Sequence, residues 1–177
     1  MRFSSTESIR ALHYAADREI ESREHYEKCL ASASSPGAKE IFRGLVDDER
    51  RHFEMVARLL TEADAGKKTP TMETIRSEAA KVRVERSFPN LSATAPNFSA
   101  DTATIHEILQ HALALEKESF DNYSHAAEES EELEIKAVYR FFAGEENIHY
   151  VLVDNLLDFL DAPGRWLYEE ENLIFRR

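Results

Sequence analysis

Four residues recur at one fixed offset, and that recurrence limits the fold more than any other feature of the chain. Glu19, Tyr26, Glu49 and His52 are repeated 97 residues later as Glu116, Tyr123, Glu146 and His149. In each copy a Tyr follows the first Glu by seven residues, and a Glu-x-x-His begins 30 residues after that Glu. Seven residues is two helical turns and three is nearly one, so both spacings keep their residues on one face of a helix. Aligned at this offset, residues 12–60 and 109–157 share twelve identities: Leu12, Ala15, Glu19, Glu21, Ser22, Tyr26, Lys39, Arg43, Glu49, His52, Leu59 and Leu60. Helical composition alone supplies several of these. It does not supply the Glu, Tyr, Glu and His together.

Local signals divide the chain into four long helices and one long connection. Ser4-x-x-Glu7 reads as a capping box that opens a first helix reaching about Ala33. Ser35-Pro36 places an N-cap before Pro at the first helical position, opening a second helix toward about Ala63. Between Asp64 and Ala100 lie three of the five prolines (Pro70, Pro89 and Pro96), so this is a connection, with room for a short helix over Met72–Val82. Asp101 is placed to cap a third long helix and Ser130 a fourth, which Asp161-Ala162-Pro163-Gly164 ends. The expected fold is all-α: an antiparallel four-helix bundle of two helical hairpins joined by a crossover over about 64–100, the ferritin-like topology. Residues 1–161 then form the bundle, and residues 162–177 form a tail packing on it or on a dimer partner.

Each helix carries an apolar stripe interrupted at its middle by charge. The second helix reads Phe42, Leu45, Glu49, His52, Val56, Leu59, and the fourth reads Tyr139, Phe142, Glu146, His149, Val153, Leu156, Leu160. The first gives Ile9, Leu12, Ala16, Glu19, Tyr26, Leu30, and the third gives Ile105, Leu109, Ala112, Glu116, Tyr123, Ala126. An ionised carboxylate in a core costs several kcal/mol unless neutralised, and four at one level require cations. Two divalent metals balance four carboxylates, and neutral imidazoles complete their shells. A single Glu-x-x-His on an acidic helix is an ordinary solvent-facing coincidence. Two copies on apolar stripes, each with an upstream Glu, make Glu19, Glu49, His52, Glu116, Glu146 and His149 candidate metal ligands. Tyr26 and Tyr123 are candidates for donating a hydroxyl to a ligand carboxylate.

Through Glu19/Tyr26/Glu49/His52 and Glu116/Tyr123/Glu146/His149 the chain resembles the rubrerythrin-like branch of the ferritin-like superfamily, over residues 5–160. The resemblance implies two irons, with Glu49 and Glu146 bridging, Glu19 and Glu116 terminal, and His52 and His149 each holding one metal. It also implies oxidation of Fe(II) by peroxide or dioxygen in oxidative-stress defence, with re-reduction by an external donor such as rubredoxin or a reductase. Two departures stand out. These 177 residues hold one cysteine and hence no CxxC pair for a rubredoxin domain, and Ser119 stands where rubrerythrins carry an extra Glu. The alternative is ferritin-like iron storage, buffering or delivery without turnover. Iron and manganese share these ligands.

Composition narrows the partners. A net charge of −12 argues against nucleic acid and against an anionic membrane surface. No stretch approaches about 20 apolar residues and the N-terminus lacks an apolar leader, so a cytoplasmic protein is expected, with a homodimer as its assembly. His13, His25, His106, His111 and His125 read as surface or boundary residues, and Cys29 as a small core residue. The tail carries Trp166, Tyr168, Leu173, Ile174 and Phe175 around an acidic run.

Overall fold

In the computed structural model, residues 5–33, 36–66, 70–85 and 102–161 are described. They form α1 (Ser5–Ser32), α2 (Pro36–Gly66), α3 (Met72–Glu85), α4 (Thr102–Glu129) and α5 (Leu133–Asp161). Each long helix keeps the period its stripe requires, and three-residue turns make α1–α2 and α4–α5 antiparallel hairpins. The hairpins pack through α1 against α4 and α5. The result is an all-α, ferritin-like bundle whose crossover carries α3.

The core falls into two halves. At one end Leu12, Ala15, Met55, Leu59, Val138 and Phe142 form one apolar cluster with Tyr123. At the other end Ile41, Phe42, Leu45, Ile105, Leu109, Val153 and Leu156 form a second with Tyr26. Each large apolar side chain buried here contributes roughly 1.5–3 kcal/mol. Between the halves lies the polar layer, because each stripe changes from apolar to charged and back at the same height. The stripe of α4 ends on Ala127, which is buried, while Ala126 is only half-buried.

The crossover helix has its own logic. The hydroxyl of Thr71 accepts from the Thr74 amide at 3.2 Å, and the Thr71 carbonyl accepts from Ile75 N at 3.0 Å, so α3 begins with an N-cap. Ile75 and Val82 are buried in the first core half. Glu78 accepts from Arg58 Nε at 2.5 Å and from Lys81, which ties α3 to α2.

At the α4–α5 turn the structure corrects the expected cap. Ser130 does not cap α5; its hydroxyl donates to Ala126 O at 2.6 Å and its amide to the same carbonyl at 3.0 Å, closing α4. The first turn of α5 instead starts from Glu132, whose carbonyl accepts from Lys136 N at 2.9 Å. A serine hydroxyl bonds backward as readily as forward, and two further turn residues leave it too far from α5 to cap it. The expected caps at Ser4, Ser35 and Asp101, and the tail 162–177, lie outside the described residues. Among the described residues no helix is long and apolar enough to cross a membrane.

Candidate metal centre

The polar layer is assembled from both hairpins. α1 brings Glu19 and Tyr26, α2 brings Glu49 and His52, α4 brings Glu116 and Tyr123, and α5 brings Glu146 and His149. All eight are at most 2% exposed, so none of their charge is screened by bulk water. The three-residue spacing puts each Glu-x-x-His pair on one face, about 4.5 Å apart in rise. The bundle then turns the two pairs toward each other, and the imidazoles of His52 and His149 stack at 5.4 Å between ring centroids, 22° between planes.

Glu49 is the centre of the arrangement. Its Oε2 lies 3.3 Å from His52 Nδ1 and its Oε1 3.1 Å from His149 Nδ1, so one carboxylate spans both imidazoles. Glu19 Oε2 is 3.1 Å from His52 Nδ1. Glu116 Oε2 and Glu146 Oε2 stand 3.7 and 3.9 Å from His149 Nδ1. Two groups of donor atoms result, Glu49 with His52 and His149, and Glu49 with Glu116, Glu146 and His149, each within 4.8 Å of one another.

The tyrosines cross between hairpins. Tyr123 of α4 donates to Glu19 Oε1 of α1 at 2.6 Å, and Tyr26 of α1 donates to Glu116 of α4. Burial, and then the carboxylate each faces, pushes both phenols well above their ordinary range, so they remain hydrogen-bond donors.

Two buried acids at this site escaped the sequence reading. Glu145 Oε2 lies 3.4 Å from His52 Nε2, and Asp48 Oδ2 lies 3.5 Å from His149 Nε2. Each hairpin thus sets a buried acid behind the other's imidazole, at the nitrogen turned away from the donor cluster. Asp48 is itself held by Arg51 one turn on. A signal was present: in both copies an acid immediately precedes the Glu of Glu-x-x-His. Its partner, on the opposite hairpin, was not in the sequence pattern.

The electrostatics describe a cluster that wants positive charge. Burial raises Glu19 to about 7, with the Glu49 carboxylate adding to the effect against the opposing pull of His52. Burial, then Glu116, Glu49 and Glu19, pushes Glu146 well above the carboxylate range. Burial opposes charge on Glu49 too, but the imidazoles of His149 and His52 outweigh it and hold Glu49 ionised, below the usual range. Both histidines are raised against their own burial, His52 by Glu19 and Glu49, His149 by Glu49 and Glu116. Protons on these groups thus stand in for a cation. Glu49 Oε1, Glu116 Oε2 and Glu146 Oε2 are buried and make no hydrogen bond among the described residues. Inward-facing carboxylate oxygens with unmet acceptor capacity, set beside two imidazoles, fit a divalent metal.

The remaining histidines lie outside this layer. His106 pairs with Asp161 and His125 with Glu129 near the surface, His13 is exposed, and half-buried His25 stacks on exposed His111 at 4.8 Å. Cys29 is buried, its thiol raised to about 11 by desolvation, and its Sγ lies 3.3 Å from His25 Nε2. Ser119 is buried and its hydroxyl accepts from Arg18 Nη2 at 3.4 Å.

No curated protein and no solved structure matches the chain. The family model for Rubrerythrin matches residues 11–157, a span that contains both Glu-x-x-His pairs, both upstream glutamates and both tyrosines, and the chain therefore belongs to the rubrerythrin family.

Proposed function

We propose that this chain is a non-haem di-iron protein that oxidises Fe(II) with peroxide or dioxygen. The observation that supports it is the buried, inward-facing set of four carboxylates and two imidazoles, with three carboxylate oxygens that make no hydrogen bond among the described residues. In this reading Glu49 and Glu146 would serve as the shared carboxylates of two irons and Glu19 and Glu116 as the terminal ones, and His52 and His149 would each hold one metal. Bound as a pair, iron supplies two electrons to the oxidant. Tyr123 and Tyr26 hold the terminal carboxylates by their hydroxyls, and Glu145 and Asp48 hold the imidazoles, so the donor set is preorganised in a water-poor layer. Iron is the favoured metal, with manganese as the alternative that these ligands also accept. The protein works in the cytoplasm as a homodimer against oxidants, and an external rubredoxin-like donor or a reductase returns the site to its reduced state.

An anaerobic Fe(II) titration of the metal-free protein, followed by stopped-flow absorbance with peroxide and separately with dioxygen, tests this. Saturation at two irons per chain with fast oxidation by peroxide is expected. Uptake that continues well beyond two would replace catalysis with storage. Silence with both oxidants would remove iron redox chemistry altogether.

A further inference from the structure

Outside the metal layer, the seam between α1 and α4 holds a second group of metal-ligating side chains. His25 and Cys29 stand one turn apart on α1, and His25 Nε2 lies 3.3 Å from Cys29 Sγ. From α4, the ring of His111 stacks on that of His25, at 4.8 Å between centroids and 30° between planes. Cys29 is buried, His25 half-buried and His111 exposed, so the group runs from the helix seam out to solvent. It shares no donor with the layer. Tyr26 connects the two: its ring meets that of His25 at 5.5 Å, and its hydroxyl donates to Glu116.

The group is no part of the repeat. At the 97-residue offset the counterparts of His25, Cys29 and His111 are Asn122, Ala126 and Tyr14. The bundle therefore does not demand these side chains, since an amide, a methyl and a phenol serve the same helix positions in the other hairpin. A helical His and Cys four residues apart face the same side. On one tetrahedral ion, bonds of about 2.3 Å to sulfur and about 2.0 Å to nitrogen set the two atoms about 3.5 Å apart. The separation of 3.3 Å between Sγ and Nε2 is close to that bite. Burial, and then the neighbouring His111, hold His25 below its ordinary range against the pull of Glu116, so its imidazole is neutral and able to act as a ligand. Softness separates the group from the layer: carboxylates favour harder cations, whereas one sulfur and two imidazoles favour a borderline-soft one.

We propose that Cys29, His25 and His111 bind one zinc ion at the α1–α4 seam, separate from the metal layer. The ion links the two hairpins, because its ligands come from both. The three donors do not stand as close together as those of the layer, so the exposed His111 ring turns to complete the set. Binding breaks the S–H bond and forms an S–Zn bond; the proton leaves to solvent, and no electron moves. Desolvation raises the free thiol to about 11, and a divalent charge beside the sulfur offsets that cost. Three protein ligands leave the fourth tetrahedral position to water.

Cys29 is the only cysteine of the chain, so a sulfur-to-metal absorption band reports this site alone. Zinc is colourless, and Co(II) serves as its spectroscopic stand-in. The reduced, metal-free full chain is titrated anaerobically with Co(II) and then with Zn(II). A thiolate-to-cobalt charge-transfer band in the near ultraviolet is expected, and Zn(II) should bleach it at lower concentration, since zinc outranks cobalt for these donors. His111→Ala, at an exposed position, keeps the fold and should weaken cobalt binding at this band by at least about tenfold, while the visible bands of cobalt in the metal layer stay as in the parent. Cys29→Ser should remove the band. No charge-transfer band at saturating cobalt, a band that survives Cys29→Ser, equal affinity in parent and His111→Ala, or a band that zinc leaves in place would each overturn the proposal. The titration involves neither iron nor an oxidant, so its result is independent of the reaction proposed for the metal layer.

Discussion

The two halves of the metal layer carry the same residues and are not equivalent. In the first, Glu49 is gripped by both imidazoles, at 3.3 and 3.1 Å, and stays ionised. In the second, its counterpart Glu146 faces Glu116, Glu49 and Glu19, with its nearest imidazole contact, His149, at 3.9 Å, and is pushed well above the carboxylate range. The supports differ as well. Asp48, behind His149, is braced by Arg51, whereas the residue in the same place after Glu145 is Ile148, which carries no charge. Repetition of ligands therefore does not give repetition of sites: a shared carboxylate can sit between two imidazoles on only one side at a time.

The strongest way to break this comparison is to remove the two Glu-x-x-His glutamates separately. Glu49→Ala should abolish binding of both metals, an affinity loss larger than the roughly 10–100-fold of an orienting residue, while Glu146→Ala should retain one. Anaerobic Fe(II) titration reads the stoichiometry, and equal losses would show the halves to be interchangeable.

Next in size is the pH dependence of the metal-free protein. Glu19 rises to about 7 from its ordinary 4.5, and His52 and His149 also rise. The folded state therefore binds these protons more tightly than the unfolded chain. Glu19's contribution is complete below its ordinary pKa and is lost as pH climbs through about 7; that of the histidines is complete below 6.5 and is lost at higher pH still. Melting temperature should fall between about pH 5 and 8, with the Glu19 contribution alone on the order of 3 kcal/mol. Metal binding should reverse the trend, since it displaces the same protons. A metal-free melting temperature that held level or rose over this window would contradict the proton placement.

The crossed acids come third. Asp48→Asn should weaken metal at the His149 side and Glu145→Gln at the His52 side, each by about 10–100-fold. Perturbation of each histidine's own metal-binding signal, followed by NMR of the imidazoles, would locate the loss; an effect on the variant's own hairpin would refute the crossing. Smallest are Tyr26→Phe and Tyr123→Phe, each expected to lower metal-free stability by about 1 kcal/mol in urea unfolding. There the halves should behave alike, and a cost confined to one tyrosine would extend the asymmetry to the hydroxyls.

Much of this molecule was legible before any coordinates. Apolar stripes broken by charge at matched heights identified four helices, and a short helix over Met72–Val82 could be expected within the crossover, where α3 runs Met72–Glu85. Capping was less legible at Ser130, because a hydroxyl there has carbonyl acceptors on one side and amide donors on the other, and only the turn's path selects between them. Asp48 and Glu145 recur immediately before each Glu-x-x-His, but nothing linear shows which imidazole a buried acid will face. The pairing of His111 with His25 and Cys29 was invisible for the same reason: α1 and α4 meet only in the folded bundle.

The sequence by itself determined the helices, their pairing into hairpins and the ligand types, because periodicity and short turns act locally and a buried charge needs a counter-charge wherever the chain runs. Only the tertiary structure decided which acid faces which histidine, which glutamate keeps its charge and where His111 meets His25. Those depend on the rotation and height of one hairpin against the other, set jointly by side chains about a hundred residues apart in the chain.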